Sequence, residues 1–218
     1  MLKRLKEIIC TFLDIILPPR TDFDIVRKLT AKDIFELPRN PHVENADWIH
    51  PLFYYKNPKV KAIIWELKYR ENTLPLDHIG TLLYEEIVAL VSDIVIFDSD
   101  AEFLLIPIPI SVLRRTERGY NQSEYIAKAV FNCDTAHTLL YAPQWFQKTV
   151  DTPKQSRSQS REERMHNLTG CFEADPRVAG KYIILIDDVV TTGSTLSEAR
   201  HTLLSAGAKD VYAFTIAH

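Results

Sequence analysis

Residues 181–206 read KYIILIDDVVTTGSTLSEARHTLLSA, and this stretch decides the fold. Residues 182–186 are an apolar run rich in β-branched side chains, too short for a helix, and they read as a strand buried on both faces. Asp187 and Asp188 follow, where that strand is expected to leave the sheet. Residues 189–194 then form a tight loop with one glycine, Gly193, amid the hydroxyls of Thr191, Thr192, Ser194 and Thr195. Thr192, Ser194 or Thr195 would cap the helix that follows, in which Leu196, Ala199, Leu203 and Leu204 recur at helical spacing. Gly207 closes the helix and residues 211–216 supply another strand, so the stretch predicts one βαβ unit.

The chemistry of such a unit is that of an anion cradle. A helix start exposes free N–H groups and roughly half a positive charge, so a phosphate there is held by amides and hydroxyls together. Paired carboxylates at the strand end suit vicinal hydroxyls or a divalent cation. At about 6 Å their repulsion reaches roughly 3 kcal/mol at an effective dielectric near 20, which a cation or ligand would relieve. A purely structural strand and turn, with acids capping a helix and hydroxyls filling the loop, is the plainer alternative. An Ile-Leu-Ile-Asp-Asp opening also resembles response-regulator receiver domains. That fold needs a phosphoacceptor aspartate and a lysine on later strands, and 30 residues follow Asp188.

Outward from this unit, the chain has 218 residues, enough for one well-buried α/β domain with an appendage. A net charge of −3 provides no global field for nucleic acid or anionic membrane. Cys10, Cys133 and Cys171 are far apart with no Cys-x-x-Cys, which supports neither a disulfide framework nor a cysteine zinc site. Walker, Gly-x-Gly-x-x-Gly, Gly-x-Ser-x-Gly and His-Glu-x-x-His motifs are absent, and the histidines are scattered singly.

Residues 1–17 place Leu2, Leu5, Ile8, Ile9, Phe12, Leu13 and Ile16 on one helical face. Lys3, Lys6, Glu7 and Asp14 lie largely opposite, and Pro18-Pro19 ends the pattern. Such a helix suits docking on its own protein or on a membrane surface. Glu7 and Asp14 break any signal-peptide pattern, and no apolar run nears the ~20 residues of a membrane span, so a cytoplasmic protein is expected. Residues 21–48 read as irregular, with a short helix over 31–36, and the expected division is 1–50 as extension and 51–218 as main domain. Within the latter the pattern predicts an apolar stretch at 52–55, helices over 58–69, 76–91 and 122–131, and a strand over 102–107.

Between that last strand and helix lies PIPISVLRRTERGYNQS, residues 107–123. Arg114, Arg115 and Arg118 fall within it, with Gly119 letting backbone approach a ligand, and guanidinium forks suit pyrophosphate oxygens. A solvated basic helix face explains the same spacing equally well. Residues 147–167, QKTVDTPKQSRSQSREERMHN, are the most polar window, a mobile loop leading into a short helix by composition alone.

Several motifs together carry a family resemblance. The run from Ile184 to Thr195 resembles the phosphoribosyl-pyrophosphate (PRPP) motif of type I phosphoribosyltransferases. Arg-Gly-Tyr-Asn-Gln-Ser at 118–123 and Trp-Glu-Leu-Lys-Tyr at 65–69 are similar to elements of the competence protein F (ComF) branch of that family. So are Thr-x-x-Gln ending at Gln155, Arg-x-x-Asn at 164–167 and Gly-x-Phe at 170–172. The resemblance runs from about Leu52 to His218 and implies an α/β fold, a largely parallel sheet of about five strands flanked by helices.

It further implies binding of Mg²⁺–PRPP or a nucleoside monophosphate, with transfer of phosphoribosyl to an unidentified acceptor. Asp187 and Asp188 would hold the ribose hydroxyls and position Mg²⁺; Val189, Val190, Thr191, Thr192, Gly193, Ser194 and Thr195 would hold the 5′-phosphate. Arg114, Arg115, Arg118 and Gly119 would meet the pyrophosphate, and Lys148, Gln155, Arg161 and Arg164 would close over it, Arg164 with the two acids counting as catalytic. A ligand sensor that turns nothing over is the alternative, and single-stranded DNA, competence proteins and a second copy of the chain are the implied partners. Two departures matter. The cysteine-rich zinc module that many ComF proteins carry after Pro-Pro-Arg has no counterpart here, so no zinc is expected. Thr191 stands where 6-oxopurine salvage enzymes have an acid, so hypoxanthine and guanine are not expected as acceptors.

Overall fold

A computed structural model describes residues 21–39, 43–44, 46–150 and 170–218. The expected helix over 1–17 and most of the polar window 147–167 lie outside these residues.

Five parallel strands form the main sheet: β1 (Ile49–Phe53), β2 (Phe103–Pro107), β3 (Leu139–Tyr141), β6 (Tyr182–Val189) and β7 (Asp210–Ala217). Two short strands, β4 (Phe146–Lys148) and β5 (Phe172–Ala174), pair antiparallel in a separate arm. The sheet order is β1-β7-β6-β2-β3, which puts the apolar run of β6 at the centre between β7 and β2. Ile183 to Ile186 are wholly buried, and they divide between two cores as strand alternation requires. Ile184 and Ile186 face a core built with the helices α3 (Pro58–Arg70), α4 (Leu76–Phe97) and α6 (Gln122–Cys133). Ile183 and Leu185 face a second one with α7 (Ser194–Ser205), Phe146 and Phe172.

The helices start and stop for local reasons. Asn57 caps α3 by accepting from the Lys59 and Val60 amides, Pro58 takes the first-turn position that needs no N–H, and Glu71 ends the helix in the left-handed region. Gly80 of α4 lies so near Ala129 of α6 that an added Cβ would sit 2.8 Å from its backbone, which fixes how closely these two helices pack. α4 continues to Phe97, six residues beyond the expected end at 91; Asp98 stops it with a bond to the Ile94 carbonyl.

The stretch 21–48 is more ordered than its composition suggests. It holds α1 (Thr21–Lys28) and α2 (Ala31–Phe35), the second at its expected place and closed by a Thr30–Asp33 capping box. α1 falls in a segment expected to be irregular; its acids in the first turn and bases in the last favour a helix, and Val26 gives it an anchor in the core. Val26, Ile34 and Leu37 join the same apolar cluster as α3 and α4, and β1 begins at Ile49, astride the expected division at 50. No helix among the described residues is long and apolar enough to cross a membrane.

Candidate functional site

The site lies at the carboxyl edge of the sheet, where β2 stops before its neighbour does. Pro107 pairs with Ile186 and the Ile108 amide bonds the Ile186 carbonyl at 2.9 Å, after which the chain turns away. β6 runs on instead, paired with β7 through Asp187–Thr215 and Val189–Ala217. The two acids therefore lie within the strand, not at its exit, and β7 keeps their backbone extended while the β2 side stands open. This is the usual place for a ligand in an open α/β sheet. A cavity of about 770 Å³ occupies it.

Asp187 and Asp188 both line the cavity, and both have protein partners. The Ser123 hydroxyl and the Asp188 amide donate to Asp187 Oδ1, each at 2.9 Å. Lys68 Nζ is 3.0 Å from Asp188 Oδ2, its side chain 30% exposed against 11% for Asp188. Burial, and then the neighbouring Asp188 charge, push the Asp187 carboxyl up to about 7, against the smaller pull of its hydrogen bonds. For Lys68, burial opposes the charge, but the Asp188 carboxylate overcomes it and holds the ammonium above its ordinary range.

Opposite the acids, residues 112–118 form a short helix, α5 (Val112–Arg118), capped by the Ser111 hydroxyl at the Arg114 amide. Helical geometry separates the three arginines. Arg114 and Arg118 share a face and line the cavity with Glu117, whereas Arg115 turns out of it to pair with Glu124 at 2.6 Å. Gly119 closes the helix at φ 87°, with no atom within 4 Å of an added Cβ, so its glycine serves the left-handed cap.

The next four residues tie the walls together. The Tyr120 hydroxyl donates to the Leu67 carbonyl at 3.1 Å and accepts from the Glu71 amide at 3.2 Å. Asn121 caps α6 through the Ser123 amide and donates to the Ile108 carbonyl at 2.9 Å; Gln122 donates to the Lys68 carbonyl at 3.3 Å. Asn121, Gln122 and Ser123 are all buried, so these bonds fix the end of α3 and the acid pair relative to one another.

The loop after β6 supplies the remaining wall. Val189, Thr191 and Thr195 line the cavity, while Thr192 and Ser194 bond each other at 2.9 Å. Gly193, at φ 74°, occupies the cap position of α7 and offers no side-chain bond, and of the expected hydroxyls Thr192 accepts a long 3.5 Å bond from the Ser194 amide. The first turn of a twelve-residue helix thus reaches the cavity behind a glycine cap, through Thr195. Lys148, at the end of β4, lines the cavity too and lies over the Phe172 ring at 5.4 Å. Gln155, Arg161 and Arg164 lie outside the described residues.

The phosphoribosyl transferase domain family matches residues 141–218, the segment that carries the acids, the loop, Lys148 and α7. Competence protein ComFC of Bacillus subtilis is 35% identical over 119 residues, 54% of this chain and 45% of that protein. Residues 141–218 thus carry a phosphoribosyl transferase domain, and over about half its length the chain is similar to ComFC. DNA utilization protein YhgH of Salmonella typhimurium is 27% identical over 157 residues, 71% of this chain and 65% of that protein. ComFC of Streptococcus pneumoniae is 32% identical over 115 residues, 53% of this chain and 48% of that protein. The chain spans about half the length of most of these relatives.

The residues matched to the phosphoribosyl transferase domain build only part of the cavity. Lys68, Tyr69, Tyr120, Gln122 and Ser123 belong to its lining as well, and none was singled out as a site residue from sequence. Two motifs contained them, Trp-Glu-Leu-Lys-Tyr and Arg-Gly-Tyr-Asn-Gln-Ser, and those motifs were the available signal.

Proposed function

We propose that the protein binds PRPP with Mg²⁺ in this cavity and transfers its phosphoribosyl group to an acceptor, releasing pyrophosphate. One observation carries the reading: two carboxylates on a strand extended past its neighbour share a cavity with a glycine-capped helix start and two guanidinium groups. Asp187 and Asp188 accept from the ribose hydroxyls, and Thr191, Thr195 and the first amides of α7 take the 5′-phosphate. Arg114 and Arg118 face the pyrophosphate. As the C1–O bond to pyrophosphate breaks, a lone pair of the acceptor forms the new bond at C1, and the acceptor's proton is released. The arginines stabilise the charge that gathers on the departing pyrophosphate, and positioning supplies the rest.

Among the described residues no three His, Cys, Asp or Glu side chains converge on one point. Mg²⁺ is commonly held by one or two carboxylates together with substrate phosphates, and the acid pair fits that role and not an all-protein cage. Bound, Mg²⁺ would neutralise charge on the pyrophosphate.

A second reading draws on the relatives, whose names concern competence and DNA utilization. In it the cavity senses PRPP or a nucleotide within cytoplasmic DNA-uptake machinery and turns nothing over. Calorimetry with PRPP, with and without Mg²⁺, tests the binding that both readings share. Asp188→Asn should weaken binding about tenfold or more, the scale of a lost charged hydrogen bond. Failure of the parent protein to bind PRPP refutes the transfer reading, and failure to bind nucleoside monophosphates as well refutes both. Pyrophosphate release on adding candidate acceptors separates them, and rapid release with hypoxanthine or guanine would overturn the argument from Thr191.

A further inference from the structure

Lys68 occupies the place to which a cation would be drawn. Its ammonium lies 3.0 Å from Asp188, and both side chains are largely withdrawn from solvent. The contact is not that of a loose surface lysine. The helix end that carries it is pinned at two successive carbonyls, Leu67 by the Tyr120 hydroxyl and Lys68 by the Gln122 side-chain Nε2. One residue beyond Gln122, Ser123 fixes the other acid at 2.9 Å. A single buried segment therefore sets the lysine and both carboxylates in one arrangement, with Arg114 and Arg118 on the opposite wall.

We propose that Lys68 is the resident counter-cation of the acid pair, keeping divalent metal off the two carboxylates until a sugar phosphate brings its own anionic oxygens. A fixed ammonium repels an approaching divalent ion and already holds Asp188 Oδ2, so the metal needs a ligand's anionic oxygens to displace it. A ligand whose hydroxyls take Asp188 frees the ammonium to turn toward the ligand's anionic end, so metal and sugar phosphate enter together. This deepens the PRPP reading, yet its central claim concerns the protein without that ligand and is tested separately from it.

The probe is Mn²⁺ alone, titrated against the full chain and followed by loss of the free-ion electron paramagnetic resonance signal. The parent and Lys68→Arg should show no stoichiometric site up to about millimolar metal. Lys68→Met should gain one site, bound at least about tenfold more tightly, and the gain should vanish when Asp188→Asn is added. Lys68→Gln gives the same reading should methionine compromise folding, which circular dichroism checks. The proposal is overturned if the parent takes up Mn²⁺ as tightly as Lys68→Met, if neither neutral variant gains the site, or if Lys68→Arg gains it equally. If the neutral variants gain the site but PRPP promotes no Mn²⁺ binding in the parent, the counter-cation role stands and the PRPP reading falls.

Discussion

The two ends of the cavity are built on opposite plans. At the acid end the polar groups already have protein partners: Asp187 accepts from Ser123 and the Asp188 amide, and Asp188 pairs with Lys68. At the helix end, Gly193 places no side chain over the first turn of α7, and the hydroxyls that do bond each other, Thr192 and Ser194, are not part of the lining. The acid end is therefore part of the folded structure, and the helix end is open to a ligand. Substitutions at the first should disturb the empty protein and its binding together, whereas substitutions at the second should disturb binding alone.

Asp188→Ala should have the largest effect and would break this contrast if it behaved like a helix-end change. It strands the Lys68 ammonium, so urea melts should show a loss of about 1–3 kcal/mol, short of the cost for a fully buried pair because Lys68 keeps partial access to water. PRPP affinity should fall at least about tenfold in the same protein.

Acidity sharpens the contrast next. With the Asp187 carboxyl raised to about 7, the native state holds a proton that the unfolded chain, with an ordinary value near 3.9, has released. Stability of the ligand-free protein should therefore fall as pH rises from about 4 to about 7, and level off above it. Melts of the parent and Asp187→Asn at pH 5 and pH 7.5 check this: the parent should lose more on going to the higher pH, and equal losses would refute it. Ser123→Ala should move the ligand-free protein less, by about 1 kcal/mol, the net worth of one hydrogen bond.

What could be read from the chain divides along the same line. The strand at 182–186, the paired acids, the hydroxyl loop and Arg114 with Arg118 were legible because each is a local pattern. The Lys68–Asp188 pair was not, since a lysine near the end of an amphipathic helix looks like any solvated one until the fold brings β6 beside it. Asn121, Gln122 and Ser123 are polar residues at a helix start, where exposure is the rule, yet they are buried because their hydrogen bonds are satisfied across elements. Spacing alone groups Arg115 with Arg114 and Arg118. In a helix it is turned about 100° from Arg114, while Arg118 returns to the same face. Likewise the strand was ended at its first acid, because pairing with β7 through Ala217 is a tertiary fact.

Thr195→Val is the gentlest substitution and the one that isolates the helix end. It keeps the side chain's volume and branching, and it removes one hydroxyl from the cavity wall at the first turn of α7. The melting free energy of the ligand-free protein should change by less than about 0.5 kcal/mol, as for a change away from packed or paired groups. Binding of ribose 5-phosphate should weaken by about 1 kcal/mol, roughly fivefold, while binding of free pyrophosphate, which the arginines receive, should be untouched. A valine protein that is destabilised like Asp188→Ala, or that loses pyrophosphate as readily as ribose 5-phosphate, would mean the two ends are one cooperative unit and the contrast between them is false.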